Sequence, residues 1–126
     1  MVTSFINTEL YRITHTNGRH TFYADEPEAI GGKDTAPSPD ELLEAALASC
    51  TLATLRMYTN HKGWNVGRIG VQVTLERKDG QTFITRELQL EHPVAEEQQA
   101  RLIQVAKSCP VSKTLAANSQ LNVTIQ

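Results

Sequence analysis

Ser38-Pro39-Asp40-Glu41-Leu42-Leu43-Glu44-Ala45-Ala46-Leu47-Ala48-Ser49-Cys50-Thr51-Leu52-Ala53-Thr54-Leu55-Arg56-Met57-Tyr58 is the stretch that decides the fold. Ser38 suits a helix cap, Pro39 suits the first turn, where its missing N–H costs nothing, and Glu41 stands three residues after the serine to complete a capping box. Small or apolar residues cover nearly every face from Leu42 to Leu55, and Gly63 offers a stop. A helix apolar all round is one covered on several sides, so this segment is expected to be the central element of the core.

Toward the N-terminus, the β-favouring runs Leu10-Tyr11-Arg12-Ile13-Thr14 and Thr21-Phe22-Tyr23 flank Asn17-Gly18. Asn-Gly is the strongest short-range hairpin signal, because a two-residue turn needs φ above zero at both positions. Two antiparallel strands are therefore expected between Phe5 and Ala24, followed by a surface loop from Asp25 to Pro37. Toward the C-terminus, Ile69, Val71, Val73 and Leu75 alternate onto one face, Asp79-Gly80 turns, and Phe83 to Leu90 returns as the second strand of another hairpin. Beyond His92-Pro93, Leu102, Ile103, Val105 and Ala106 make one apolar helical face, with Glu96 and Glu97 early and Lys107 late, as the helix dipole favours. Pro110 interrupts that helix, Val111 to Ala117 reads as a short second one, and Leu121-Asn122-Val123-Thr124-Ile125 alternates as a closing strand. The order ββ-α-ββ-αα-β, with no internal repeat and no linker, predicts a single α+β domain over 1–126. Its antiparallel sheets come from two hairpins around a long buried helix.

With 126 residues, 40% of them apolar, the chain has material for an ordinary core and needs neither disulfide nor metal staples. Lys and Arg number 12 against 14 Asp and Glu, a net charge of −2. That balance argues against nucleic-acid partners and against a polybasic membrane binder, since both need a concentrated positive field. Met1-Val2-Thr3-Ser4-Phe5-Ile6 carries no basic run and no signal-length apolar stretch, and the richest apolar segment is interrupted by Glu44 and Arg56. A cytoplasmic location with no membrane partner is expected. His15, His20, His61 and His92 are scattered without a metal-ligand spacing, so no metal is expected. Gly31-Gly32-Lys33-Asp34 lacks the phosphate-loop spacing, and Ser49 lacks the glycines of a nucleophile elbow.

The remaining chemistry-bearing residues are Cys50, within the apolar helix, and Cys109, at a helix end before Pro110. In a reducing compartment such a pair is more often two buried thiols than a structural bridge. Burial alone raises a thiol's pKa and predicts an inert side chain.

Ser38-Pro39-Asp40-Glu41-Leu42-Leu43, Ala45-Ala46-Leu47-Ala48-Ser49-Cys50 and Ala106-Lys107-Ser108-Cys109-Pro110-Val111-Ser112 together resemble the OsmC/Ohr family, the osmotically inducible and organic hydroperoxide resistance proteins. The order of strands and helices is similar over most of the chain. The resemblance implies a cysteine-based peroxidase without a cofactor, working as an intertwined homodimer, in which Cys50 attacks the peroxide and Cys109 resolves the product. A helix apolar on all faces also needs more cover than one chain of this size readily provides, which suits a second subunit. The resemblance further implies an arginine from the N-terminal strands, Arg19 or Arg12, oriented by a carboxylate at Asp40 or Glu41, although Glu41 serves equally to close the capping box.

A thiol at its reference pKa of about 8.5 is only a few per cent thiolate at neutral pH, and each unit of lowering takes about 1.4 kcal/mol. An arginine against the sulfur supplies this in a low-dielectric pocket. The implied substrate is an organic hydroperoxide, favoured over hydrogen peroxide by Leu47, Leu52, Leu55 and Met57. The Cys50 sulfenic acid then condenses with Cys109, and an external dithiol reductant restores both thiols. Two other classes compete: a non-catalytic dimeric domain binding an apolar small molecule, and a hot-dog-like thioesterase whose acid and base residues are not identifiable.

Overall fold

Ser38 begins the long helix through its hydroxyl, which accepts the Glu41 N–H and donates to the Glu41 carboxylate, each at 3.2 Å. In the computed structural model, which describes residues 1–126, this helix, α1, spans Pro39–Lys62. Gly63 ends it at φ 69°, and the N–H groups of Gly63 and Trp64 close onto the carbonyls of Asn60 and Thr59 at 3.1 and 2.9 Å. The chain divides into two compact units, residues 1–45 and 46–126, and α1 starts in the first and continues through the second.

In the first unit, β1 (Thr3–Ile6), β2 (Ile13–Thr16) and β3 (Thr21–Ala24) form an antiparallel sheet in that order. The sequence announces β2 and β3 but not β1, a short run with no turn signal of its own. The Asn17-Gly18 turn also departs from the two-residue form, because Thr16 pairs with Thr21 and residues 17–20 connect the strands. Asn17 Oδ1 accepts the N–H groups of Arg19 and His20 at 3.0 and 2.8 Å, and within this loop positive φ falls on Gly18 alone. An asparagine side-chain turn has replaced the expected mirror-image backbone turn. Asp25, buried at the end of β3, then organises the loop. Its carboxylate accepts the Thr35 hydroxyl at 2.7 Å, the Thr35 N–H at 3.0 Å and the Glu26 N–H at 2.8 Å.

In the second unit, β4 (Ile69–Lys78) and β5 (Gln81–Leu90) pair antiparallel down to Lys78 opposite Gln81. Asp79 and Gly80 make the turn at φ 53° and 74°, both positive as a two-residue hairpin demands. The helices α2 (Glu96–Lys107) and α3 (Pro110–Ala116) follow. Leu55, Leu102, Val105 and Ala106 form the core of this unit, with Tyr58, Trp64, Ile69, Leu88, Leu90 and Val94 packed against it.

Two expectations are corrected here. One chain buries only a single stripe of α1, Leu47, Thr51, Leu55 and Thr59 at four-residue spacing, and Met57 is 71% exposed. Leu121–Ile125 forms no strand, and Leu121, Val123 and Ile125 are 92%, 94% and 99% exposed. Alternation makes a segment competent for a sheet, but a strand forms only where a neighbouring edge takes its N–H and C=O groups.

Candidate active site

Cys50 and Thr51 are neighbours on α1 with different burial: Thr51 is fully enclosed and Cys50 half-buried. Cys109 lies at the break between α2 and α3. Pro110 opens α3 near its first position, where a missing N–H is harmless, and leaves Cys109 as the capping residue between the helices. Cys109 is 0% exposed, and both cysteines are unpaired thiols.

A third component comes from β5. Period-two alternation sets residue 86 among Ile84, Leu88 and Leu90 on the half-buried face of the hairpin, and the residue found there is an arginine. Arg86 Nη1 donates to Thr51 Oγ1 at 3.0 Å and to the Ala106 carbonyl at 2.9 Å, while Nη2 donates to Ser112 Oγ at 3.1 Å. The same Nη1 stands 3.9 Å from the Cys109 sulfur, and Thr51 Oγ1 stands 3.8 Å from it. One guanidinium thereby joins α1, β5, α2 and α3 around a single sulfur atom.

The electrostatics of that sulfur are a balance. Burial pushes the Cys109 thiol up, because a thiolate loses its hydration in the core. Against this act the Ser112 N–H, the Thr51 hydroxyl, the Cys50 thiol and the charge of Arg86, all of which favour the anion and hold the thiol below its ordinary value. The Cys50 thiol is thus one of the groups that set the protonation of Cys109.

The other residues singled out in the sequence belong to the first unit. Arg12 donates to Thr35 Oγ1 at 2.7 Å and lies 4.3 Å over the Tyr23 ring. Arg19 occupies the 17–20 loop, its N–H bonded to Asn17. Asp40 sits in the first turn of α1 and lines a shallow cleft with Glu26, Pro27, Ile30, Ser38 and Pro39. Glu41 meets the Ser38 hydroxyl through both its N–H and its carboxylate. Sequence reasoning missed Arg86, Thr51 and Ser112. A charged residue in the inward register of β5 was the available signal for Arg86, whereas the two hydroxyls carried none.

The second unit carries two hollows, one of which borders Arg86. A cavity of about 310 Å³ lies among Leu55, Ile69, Leu88, Leu90, Val94 and Leu102. A cleft of about 470 Å³, lined by Arg86, Ala106, Lys107 and Ile84, shares Leu88 and Ile103 with it. No group of three or more His, Cys, Asp or Glu side chains is arranged to hold a metal, and no helix is long and apolar enough to cross a membrane.

An α+β fold of two antiparallel sheets and three α-helices, with one cysteine on a long helix and another at a helix break, defines the class. The profile of the OsmC-like protein family matches residues 32–124, and the chain belongs to that family. Its fold is similar to the OsmC-like protein from Mycoplasma pneumoniae, with a TM-score of 0.78 and 23% identity over 92% of this chain and 86% of that one. It is similar to an organic hydroperoxide resistance protein from Elizabethkingia anophelis, at TM-score 0.68 and 21% identity over 94% and 89% of the two chains. A third similar structure is the organic hydroperoxide resistance protein OhrB of Bacillus subtilis, at TM-score 0.63 and 25% identity over 94% and 90%. No curated protein matches the chain.

Proposed function

We propose that this protein is a thiol-dependent peroxidase that reduces organic hydroperoxides through Cys50 and Cys109. The observation that carries the reading is the enclosed thiol of Cys109 set against Arg86 and Thr51, with the half-buried Cys50 next to Thr51 on α1. Similarity to structures named organic hydroperoxide resistance proteins supports the substrate class. So does the apolar cavity around Leu88 and Leu102, which suits an alkyl group better than hydrogen peroxide.

In this mechanism the Cys50 thiolate attacks the terminal peroxide oxygen, the O–O bond breaks, and the alkoxide leaves with a proton as an alcohol. Cys50 is left as a sulfenic acid, which condenses with Cys109 to a disulfide and releases water. An external dithiol then reduces the bridge. The role of holding the Cys50 thiolate is assigned, as the family resemblance implies, to Arg19 or Arg12, with Asp40 or Glu41 to orient it. The unit of function is a homodimer, whose second copy covers the sides of α1 that one chain leaves open.

Mass spectrometry after one equivalent of an organic hydroperoxide should find a Cys50–Cys109 disulfide. Two intact thiols would remove the mechanism and favour a domain that binds an apolar molecule in the same cavity. Sedimentation of the dilute protein as a monomer would remove the dimer.

A further inference from the structure

Arg86 brings a full positive charge into half-buried surroundings, and none of the four groups its nitrogens meet is a carboxylate. They are the Thr51 and Ser112 hydroxyls, the Ala106 carbonyl and the Cys109 sulfur. A guanidinium stays protonated in proteins, and a charge withdrawn from water favours an anion beside it. Of the four groups only the sulfur becomes an anion near neutral pH. The donor pattern agrees. Arg86 can only donate, so Thr51 Oγ1 accepts from it, and the Thr51 proton can then be directed at the sulfur 3.8 Å away. Cys109 is an acceptor toward Arg86 Nη1, a role that a thiolate fills better than a thiol. Access differs as well: Cys109 is 0% exposed and Cys50 is half-buried, so a dissolved oxidant meets Cys50 first.

We propose that Arg86, together with Thr51, activates Cys109 as the nucleophile that closes the disulfide onto an oxidised Cys50. The closing step rests on the peroxidase reading; the pairing of Arg86 with the sulfur rests on geometry alone. In that step the Cys109 sulfur attacks the sulfur of the Cys50 sulfenic acid, the S–S bond forms as the S–O bond breaks, and hydroxide departs to become water. The electron pair comes from Cys109, so no outside reductant is consumed. Cys50 from α1 and Arg86 from β5 are the titratable or charged side chains that act on Cys109.

An ultraviolet thiolate titration tests this without requiring a reagent to reach the sulfur. In the full chain carrying Cys50→Ser, where Cys109 is the remaining cysteine, the transition should lie below that of a free thiol. Arg86→Met in the same background should move it up, and Arg86→Lys should restore part of the shift. An unmoved transition overturns the assignment, whatever the peroxide chemistry proves to be. With Cys50 intact, Arg86→Met should slow closure of the disulfide more than it slows oxidation of Cys50 by an organic hydroperoxide. The sulfenic acid, captured by a cyclic diketone, should persist about three- to fourfold longer for each unit that the Cys109 transition rises above the working pH. Equal slowing of both steps would make Arg86 a fold residue only and would overturn the proposal. Should Arg86→Met fail to fold, Thr51→Val removes the hydroxyl at similar volume and is read by the same titration with the same two outcomes. Failure of Cys50 to oxidise in the native protein would instead sink the peroxidase reading, and the titration would still decide the pairing.

Discussion

Thr51 and Cys109 are in contact, hydroxyl to sulfur at 3.8 Å, although Thr51 follows the other cysteine in the chain. Consecutive helical residues point about 100° apart, so Cys50 leaves α1 in a different direction from the hydroxyl that meets Cys109. Thr51→Ala should deprive Arg86 of an enclosed acceptor and destabilise the protein by about 1–3 kcal/mol. A lower denaturant midpoint with an unchanged slope would be the result. An unchanged midpoint would mean that the guanidinium finds a replacement partner.

The two cysteines should separate in single-turnover work without added dithiol. Cys50→Ser is expected to consume no organic hydroperoxide. Cys109→Ser is expected to consume one equivalent and stop at a Cys50 sulfenic acid. Peroxide consumption by Cys50→Ser equal to that of the native protein would contradict the assignment of roles.

Asp25 should make the first unit acid-sensitive. The Thr35 hydroxyl, then the Thr35 N–H, hold its carboxyl below the ordinary carboxylate value against the opposing effect of burial. Because the folded value is the depressed one, the stabilisation is present at neutral pH and is lost as the pH falls through that folded value. The gap in urea midpoint between native protein and Asp25→Asn should therefore be widest near neutrality and close on acidification. A gap independent of pH would show that the carboxylate charge is not what the loop uses.

Gly32 tolerates no side chain. A Cβ there would stand 1.8 Å from the Glu26 carbonyl oxygen, a backbone atom held by the Asp34 N–H at 3.1 Å. Gly32→Ala should cost at least about 1–3 kcal/mol through a forced backbone shift. Thermal melting would register it, and an unaltered melting temperature would mean that the 26–34 turn is looser than its hydrogen bonds imply.

Local chemistry explains why parts of this molecule can be read from the sequence. The Ser38 cap, the Gly63 stop and the Asp79-Gly80 turn each depend on residues within a few positions of one another, and all three are found where the sequence puts them. Pro110 likewise marks the break that presents Cys109. Arg86 was not legible as a site residue because its partners lie 20, 23, 26 and 35 residues away, and no local pattern encodes such a meeting. Leu121–Ile125 shows the complementary failure. Its alternation is intact, but strand formation depends on a neighbour that the segment itself cannot specify.

A cylinder that is greasy on nearly every side gains similar burial at many azimuths, since the hydrophobic effect has no direction. Thr51 and Thr59 break that degeneracy, because an enclosed hydroxyl without a partner is costly. Thr59 satisfies itself on the Arg56 carbonyl one turn back, at 3.2 Å, but Thr51 must be turned toward Arg86. The helix is keyed like a shaft in its socket, and the aim of Cys50, one step round the spiral, is fixed by a neighbour's hydroxyl and not by the grease around it.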